Sequence, residues 1–290
     1  MAENDLAVLN AAVGYVFFAA TGTAAPTPAE VKTLDPASYG NQIQNVKITG
    51  SPTGGTFTLT VNSVATTALP YNAPAAAVAA ALAGLSSVGT GNVMVTGTAV
   101  NDATGLNVQW IGAKSGVAQT ITSSATLTGG TSPAVSITST QSVNGWKSVG
   151  HTSEGKLPEF GFDGGKADMK GSWQKRKLRK IHSEYPVDYV TAVLHQFDKN
   201  TLELYYGPNM SSTSGVYGVE TAQPVLEKAG FILIVDGSTR VGFHFHKAAV
   251  ERDEKIDLPK DDLAAFPIKA EFLDYGDEVL FSWISSDLLA

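Results

Sequence analysis

The chain has 290 residues, of which 43% are hydrophobic and only 16% charged, with 29 Gly and 13 Pro. That length suits one large domain or two modest ones, and the composition supports a packed core while excluding a disordered or collagen-like chain. A net charge of -7 argues against a protein that binds by neutralising many phosphates, and the absence of Cys removes disulfide scaffolds, thiolate nucleophiles and Cys-ligated zinc.

The first apolar run, Val13 to Ala20, follows Glu3 and Asp5 with no Lys or Arg before Lys32. A signal peptide has the opposite polarity, so the run reads as a strand and the protein as soluble and made in the cytoplasm. No stretch approaches the ~20 apolar residues of a membrane span. Between Asn41 and Asn144 the only Asp, Glu, Lys or Arg residues are Lys47, Asp102 and Lys114, and the stretch is otherwise rich in Thr, Ser, Gly, Ala and Val. Its composition sets it apart from both flanks. Residues 41–144 are therefore expected to form a small inserted β-rich domain, and residues 1–40 and 145–290 a discontinuous second domain.

Within the insertion, Phe57, Leu59 and Val61 alternate with Thr and Asn, as in a strand with one buried face, and shorter alternations recur at Val93/Val95, Leu106/Val108/Trp110 and Val135/Ile137. Val78, Ala81, Leu82 and Leu85 predict one amphipathic helix, with Asn72 as N-cap and Pro74 in the first turn. Beyond the insertion, strands are expected at Val187 to Phe197 and in a hairpin from Phe231 to Val235 through Asp236-Gly237-Ser238 into Val241 to Ala249. A second hairpin is expected to pair Pro267 to Leu273 with Val279 to Ile284, placing Ile268, Ala270 and Phe272 on one face. Thr201 to Tyr206 suits a short helix capped by Asn200, with Glu203 as capping-box partner and Gly207 as a left-handed terminator, in competition with a strand.

Signatures of chemistry are sparse. Gly164-Gly165-Lys166 lacks the upstream Gly and following Ser or Thr of a phosphate loop, and no G-x-S-x-G elbow occurs. His244 and His246 share one strand face but make only two metal ligands, so that face is expected to meet water or a neighbouring subunit. His151-Thr152-Ser153 juxtaposes a base and a nucleophile without an orienting acid. Asn209-Met210-Ser211 is a sequon without a secretory context. No catalytic residue, metal ligand or cofactor site is expected. The basic run Lys170, Lys175, Arg176, Lys177, Arg179 and Lys180 surrounds Trp173 and admits three readings: a single-stranded nucleic-acid groove, a solvated face, or a charged subunit interface. The interface reading is preferred because one aromatic makes a poor stacking platform. Glu251, Asp253, Glu254, Asp257, Asp261 and Asp262 lack a calcium-loop frame and form an acidic edge, the matching candidate for that interface.

Several segments resemble the major tail, or tail tube, proteins of long, non-contractile-tailed bacteriophages, particularly those of actinobacterial hosts. They are Val13-Gly14-Tyr15-Val16 with Thr21 to Pro26, Leu34-Asp35-Pro36, Gly145-Trp146-Lys147 through Gly155, Pro158 to Gly165, Gly171-Ser172-Trp173-Gln174, and the closing strands from Pro267 to Trp283. The insertion resembles a module found in phage structural proteins.

The resemblance implies a mainly β subunit, a β-sandwich or half-barrel with a short flanking helix, assembled into stacked hexameric rings that conduct the genome into the host. It implies as partners further copies of the chain, the tape measure, tail terminator and baseplate or distal tail proteins, and double-stranded DNA passing through the lumen without specific binding. The inserted domain is an expected outer decoration, passive or in contact with host surface glycans. A monomeric β-sandwich adhesin, on a cell surface or binding glycans, is the alternative; assembly that depends on concentration separates the two.

Overall fold

The computed structural model describes residues 8–10, 13–182, 184–222 and 224–288; Glu3 and Asp5 lie outside them. The chain divides into two compact units, residues 35–147 and residues 1–34 with 148–290. It opens with strand β1 (Val13–Ala19) and helix α1 (Pro28–Thr33). Thr27 and Glu30 close a reciprocal capping box at the start of α1, and Pro28 enters its first turn.

The inserted unit contains β2 (Ile43–Thr49), β3 (Gly54–Val61), β4 (Val64–Ala65), β5 (Leu69–Pro70), α2 (Ala75–Ala83), β6 (Val93–Thr96), β7 (Leu106–Trp110), β8 (Ile121–Thr128) and β9 (Ala134–Gln141). They form two four-stranded sheets, β6-β7-β2-β9 and β4-β3-β5 with β8 along the other edge of β3. Phe57, Leu59 and Val61 are buried as their alternation requires, and Val78 and Leu82 of α2 pack into the same core. Asn72 does not cap α2. Pro74 is the N-cap without a side-chain bond, and Ala75 N–H donates to the Thr98 carbonyl, so a neighbouring loop satisfies the helix end instead. The side chains of Gln109 and Gln141 donate to the carbonyls of Ala37, Ser38 and Asn41. Those bonds tie residues 37–41 to this unit, whose boundary falls at residue 35.

The flanking unit continues with β10 (Lys147–Ser148), β11 (Glu159–Gly164), β12 (Ala167–Lys170), β13 (Arg179–His182), β14 (Pro186–Leu194), α3 (Lys199–Tyr206), β15 (Leu226–Asp236), β16 (Thr239–Arg252), β17 (Phe266–Phe272) and β18 (Ser282–Ile284). An eight-stranded sheet runs β10-β1-β15-β16-β17-β14-β11, with β18 beside β16; β12 and β13 form a separate hairpin. The sheet is open and mainly β in content, and it does not close into a barrel. One face of β1, β14, β15, β16 and β17 supplies the core, including Val16, Val190, Ile232, Phe245, Phe266 and Ala270, with Leu204 and Tyr205 of α3 packed against it.

The expected hairpin at Gly237-Ser238 is present, with Asp236 opposite Thr239. The second hairpin is not. β17 pairs with β14 and β16, and β18 pairs with β16 rather than β17. At fourteen residues, β16 is long enough to offer β17 its last residues and β18 an earlier stretch. The helix at α3 starts two residues earlier than expected. Asp198 caps it by accepting from Thr201 N–H at 2.9 Å, which leaves Asn200 inside the helix and Glu203 paired with Lys228 at 3.3 Å. Gly207 ends it at φ 85 and ψ -169, a positive-φ conformation but not the left-handed helical one.

The histidine face also differs from expectation. His244 is buried rather than open to water, its Nε2 lying 3.1 Å from the Thr23 carbonyl, and its ring meets His246 edge-on at 4.5 Å. Gly22 N–H donates to the His246 carbonyl, so residues 22–23 lie over this strand, and the His246 ring stacks on Tyr275.

Two consequences are measurable. A Cβ on Gly230 would stand 2.0 Å from Cζ of Phe245, itself fully buried, so Gly230→Ala overpacks the core and is expected to cost about 1–3 kcal/mol in denaturant unfolding; an unchanged midpoint contradicts that packing. Burial pushes His244 down to about 4, helped by His246 and opposed by the Thr23 carbonyl. The unfolded chain then binds a proton that the folded one refuses, so this contribution to stability is complete above about pH 6.5 and is lost as the pH falls towards 4. His244→Gln is expected to flatten the profile of unfolding midpoint against pH in that window; an unaltered profile assigns acid sensitivity elsewhere.

Candidate assembly surfaces

The strand register places the two charged segments. β11 ends at Gly164 opposite Pro186, and from there the chain runs out into the β12–β13 hairpin before returning as β14. At the other end of β14, Leu194 pairs with Phe266, while Arg252 pairs with Ile268, and residues 253–265 connect β16 to β17 there. The basic run thus leaves one end of the β14, β16 and β17 strands, and the acidic edge lies at the other end.

The β12–β13 hairpin is exposed along its length, with Trp173 at its turn, Met169, Leu178 and Ile181 open to solvent, and Tyr185 at its base. Lys170 reaches Asp168 within the hairpin at 3.3 Å, whereas Lys175, Arg176, Lys177, Arg179 and Lys180 form no ion pair among the described residues. In an isolated subunit this arrangement exposes the apolar surface of Met169, Trp173, Leu178 and Ile181 to solvent beside positive charge.

At the opposite end, Glu251, Asp253, Glu254, Asp257, Asp261 and Asp262 are all exposed. Glu254 lies 3.8 Å from Lys156, and the Asp262 carboxylate accepts from Leu263 N–H. The Tyr205 hydroxyl donates to the Glu254 carbonyl at 2.6 Å and anchors the segment to α3. Arg252, Lys255 and Lys260 interrupt the acids, so this edge is mixed in charge, a feature the acidic residues alone conceal. Beside it opens a cleft of about 480 Å³ between α3 and the end of β16, lined by Tyr205, Tyr206, Val225, Glu251 and Arg252.

Ser153 Oγ accepts from Lys156 N–H and shapes a turn, and no group of three His, Asp or Glu able to hold a metal occurs among the described residues. No helix among them is long and apolar enough to cross a membrane. Sequence periodicity also passed over the outer edge of β11, which among the described residues pairs only with β14; its short apolar alternation, Phe160 and Phe162, is the signal that marks it.

The chain is 41% identical over 288 residues to the Major tail protein Gp23 of Mycobacterium phage D29, an alignment covering 99% of this chain and 96% of that protein, and the same figures hold for Major tail protein Gp23 of Mycobacterium phage L5. Residues 35–147 fall within both alignments. The profile of the phage tail tube proteins matches residues 89–290, beginning inside the inserted unit and running through the arm, the open sheet edge and the closing strands. The chain belongs to the phage tail tube protein family.

Proposed function

We propose that this chain is a non-enzymatic virion protein whose copies assemble into stacked rings, hexameric as the family resemblance implies, forming the tail conduit through which the genome enters the host. The single observation that carries this reading is the pairing of an open sheet edge with oppositely charged strand ends. Among the described residues the outer edge of β11 has no pairing strand for its backbone N–H and C=O groups, beside the exposed Phe162, a hazard in a monomer that lateral contact with another copy removes. The cationic arm of one copy meets the acidic edge of the next, a head-to-tail contact that repeats along an axis and gives the stack a direction. Each exposed ion pair contributes only ~0.2–1 kcal/mol, so alternating charges set register more than affinity. The names of the two Gp23 relatives support a place in the tail, where the ends of such a tube meet other tail proteins. Residues 35–147, with their own core, fold autonomously and decorate the exterior.

Electron microscopy of the purified protein is expected to show tubes with a channel wide enough for duplex DNA; a chain that stays monomeric at high concentration, and is absent from the tails of virions encoding it, contradicts the reading. Reversing Arg176 and Arg179 to Glu is expected to impair tube growth while leaving the circular dichroism and melting of the monomer unchanged. Reversing Asp261 and Asp262 to Lys should partly restore it. Normal growth of the Arg variant removes the arm from the contact. Replacing residues 35–147 by a short Gly/Ser linker is expected to leave assembly intact, and loss of folding in the remainder would show that the unit is not autonomous.

A further inference from the structure

The face of the β11, β14, β17 and β16 strands opposite the core carries a second pattern of charge, distinct from the arm. Register aligns Glu159, Thr191, Lys269 and Glu251 across the four strands in one row. The next row reads Gly161, Tyr189, Glu271 and Ala249, followed by Glu227 of β15. Asp163 belongs to the same side of β11. Neighbouring positions on the other side, Val190, Ala192, Ile268, Ala270 and Val250, are buried in the core, so this face is the one turned away from it.

Both lysines on this face are held by carboxylates. Lys269 Nζ bonds Asp163 and Glu271, each at 2.8 Å, and sits 4.3 Å from the centre of the Tyr189 ring. Lys247 Nζ lies 3.0 Å from Glu227. Two hydrogen-bonding carboxylates raise the Lys269 pKa above its ordinary value, so it stays charged, with the charge already matched. Glu159 and Glu251 form no ion pair among the described residues. What remains on this regular, ladder-like surface is negative charge, while five cations of the arm form no ion pair among the described residues.

We propose that this face lines the bore, and that Asp163 and Glu271 act there as a clamp denying Lys269 to DNA phosphates. The inference rests on the tube reading and names the wall of its channel. A duplex sliding past many copies is held by any cation that each copy repeats, because every phosphate contact releases counterions. A wall whose lysines are matched by its own carboxylates avoids that hold, and its surplus carboxylates repel the duplex towards the centre.

The test uses assembled tubes of the full chain. Because the chain has no cysteine, Thr191→Cys places a unique thiol on this face, and Glu159→Cys, in the same row and outside the acidic edge, provides a second position should the first disturb the strand. In monomers both a small maleimide and one coupled to a globular protein are expected to react. In tubes the small reagent should still react and the bulky one should not. Reaction with both places the face on the exterior, and reaction with neither places it in a contact between copies; either overturns the inference while leaving the tube intact. Failure to form tubes removes the tube reading and this inference with it. Tubes of Asp163→Asn/Glu271→Gln are further expected to retain a fluorescent duplex that wild-type tubes release, with retention disappearing as salt is raised. Equal release by both disproves the clamp.

Discussion

Strand β16 must serve different neighbours along its length, and the flanking unit is organised around how it does so. It pairs with β15 along one side, while on the other side its early residues take β18 and its last residues take β17. Between Lys228 and Gly230 the β15–β16 register shifts, so that Phe245 and Ala248 both enter the core although strict alternation would send one of them outwards. The residues between them, His246 and Lys247, turn to the other side. His246 goes under Tyr275 and beside Gly22, and Lys247 goes to Glu227. Removing that irregularity would misplace every later side chain of the strand, from the core residue Val250 to Glu251 on the polar face.

Charge is distributed in this frame by two opposite devices. On the sheet face, carboxylates answer both lysines within one subunit, which yields a surface with little attraction for polyanions. On the β12–β13 arm, five cations lack such answers among the described residues, which is what makes the arm the proposed contact with another copy. The same residue type therefore has different consequences according to whether the register places an acid within reach. The net charge of -7 reveals neither arrangement, because it averages over both.

Period-two alternation located the buried strands around Phe57 and Ile268, and the compact unit at residues 35–147 overlaps the charge-poor stretch 41–144. Caps were less legible. At α2 the bond that Asn72 was expected to make comes from the Thr98 carbonyl, and at α3 Asp198 supplants the equally plausible Asn200. In each case several residues near the helix start are chemically competent, and tertiary position decides among them. The β17–β18 hairpin was misread because sequence proximity favours local pairing, whereas β18 gains a partner in the long β16. The basic and acidic segments were visible as composition, but their location at opposite strand ends follows only from register. The contact of Asp163 with Lys269 was invisible in advance, since the two lie 106 residues apart along the chain and meet across β14.

Backbone hydrogen exchange over residues 159–164, compared between dispersed subunits and assembled tubes, tests most directly the claim that the open edge of the sheet is completed by a second copy. The β11 amides facing away from β14 are expected to exchange rapidly in the monomer and to become protected on assembly, while the buried core of β15 stays protected in both. Equal exchange of this segment in the two states would contradict the account, because it would leave the edge unpaired where the tube requires it to be closed.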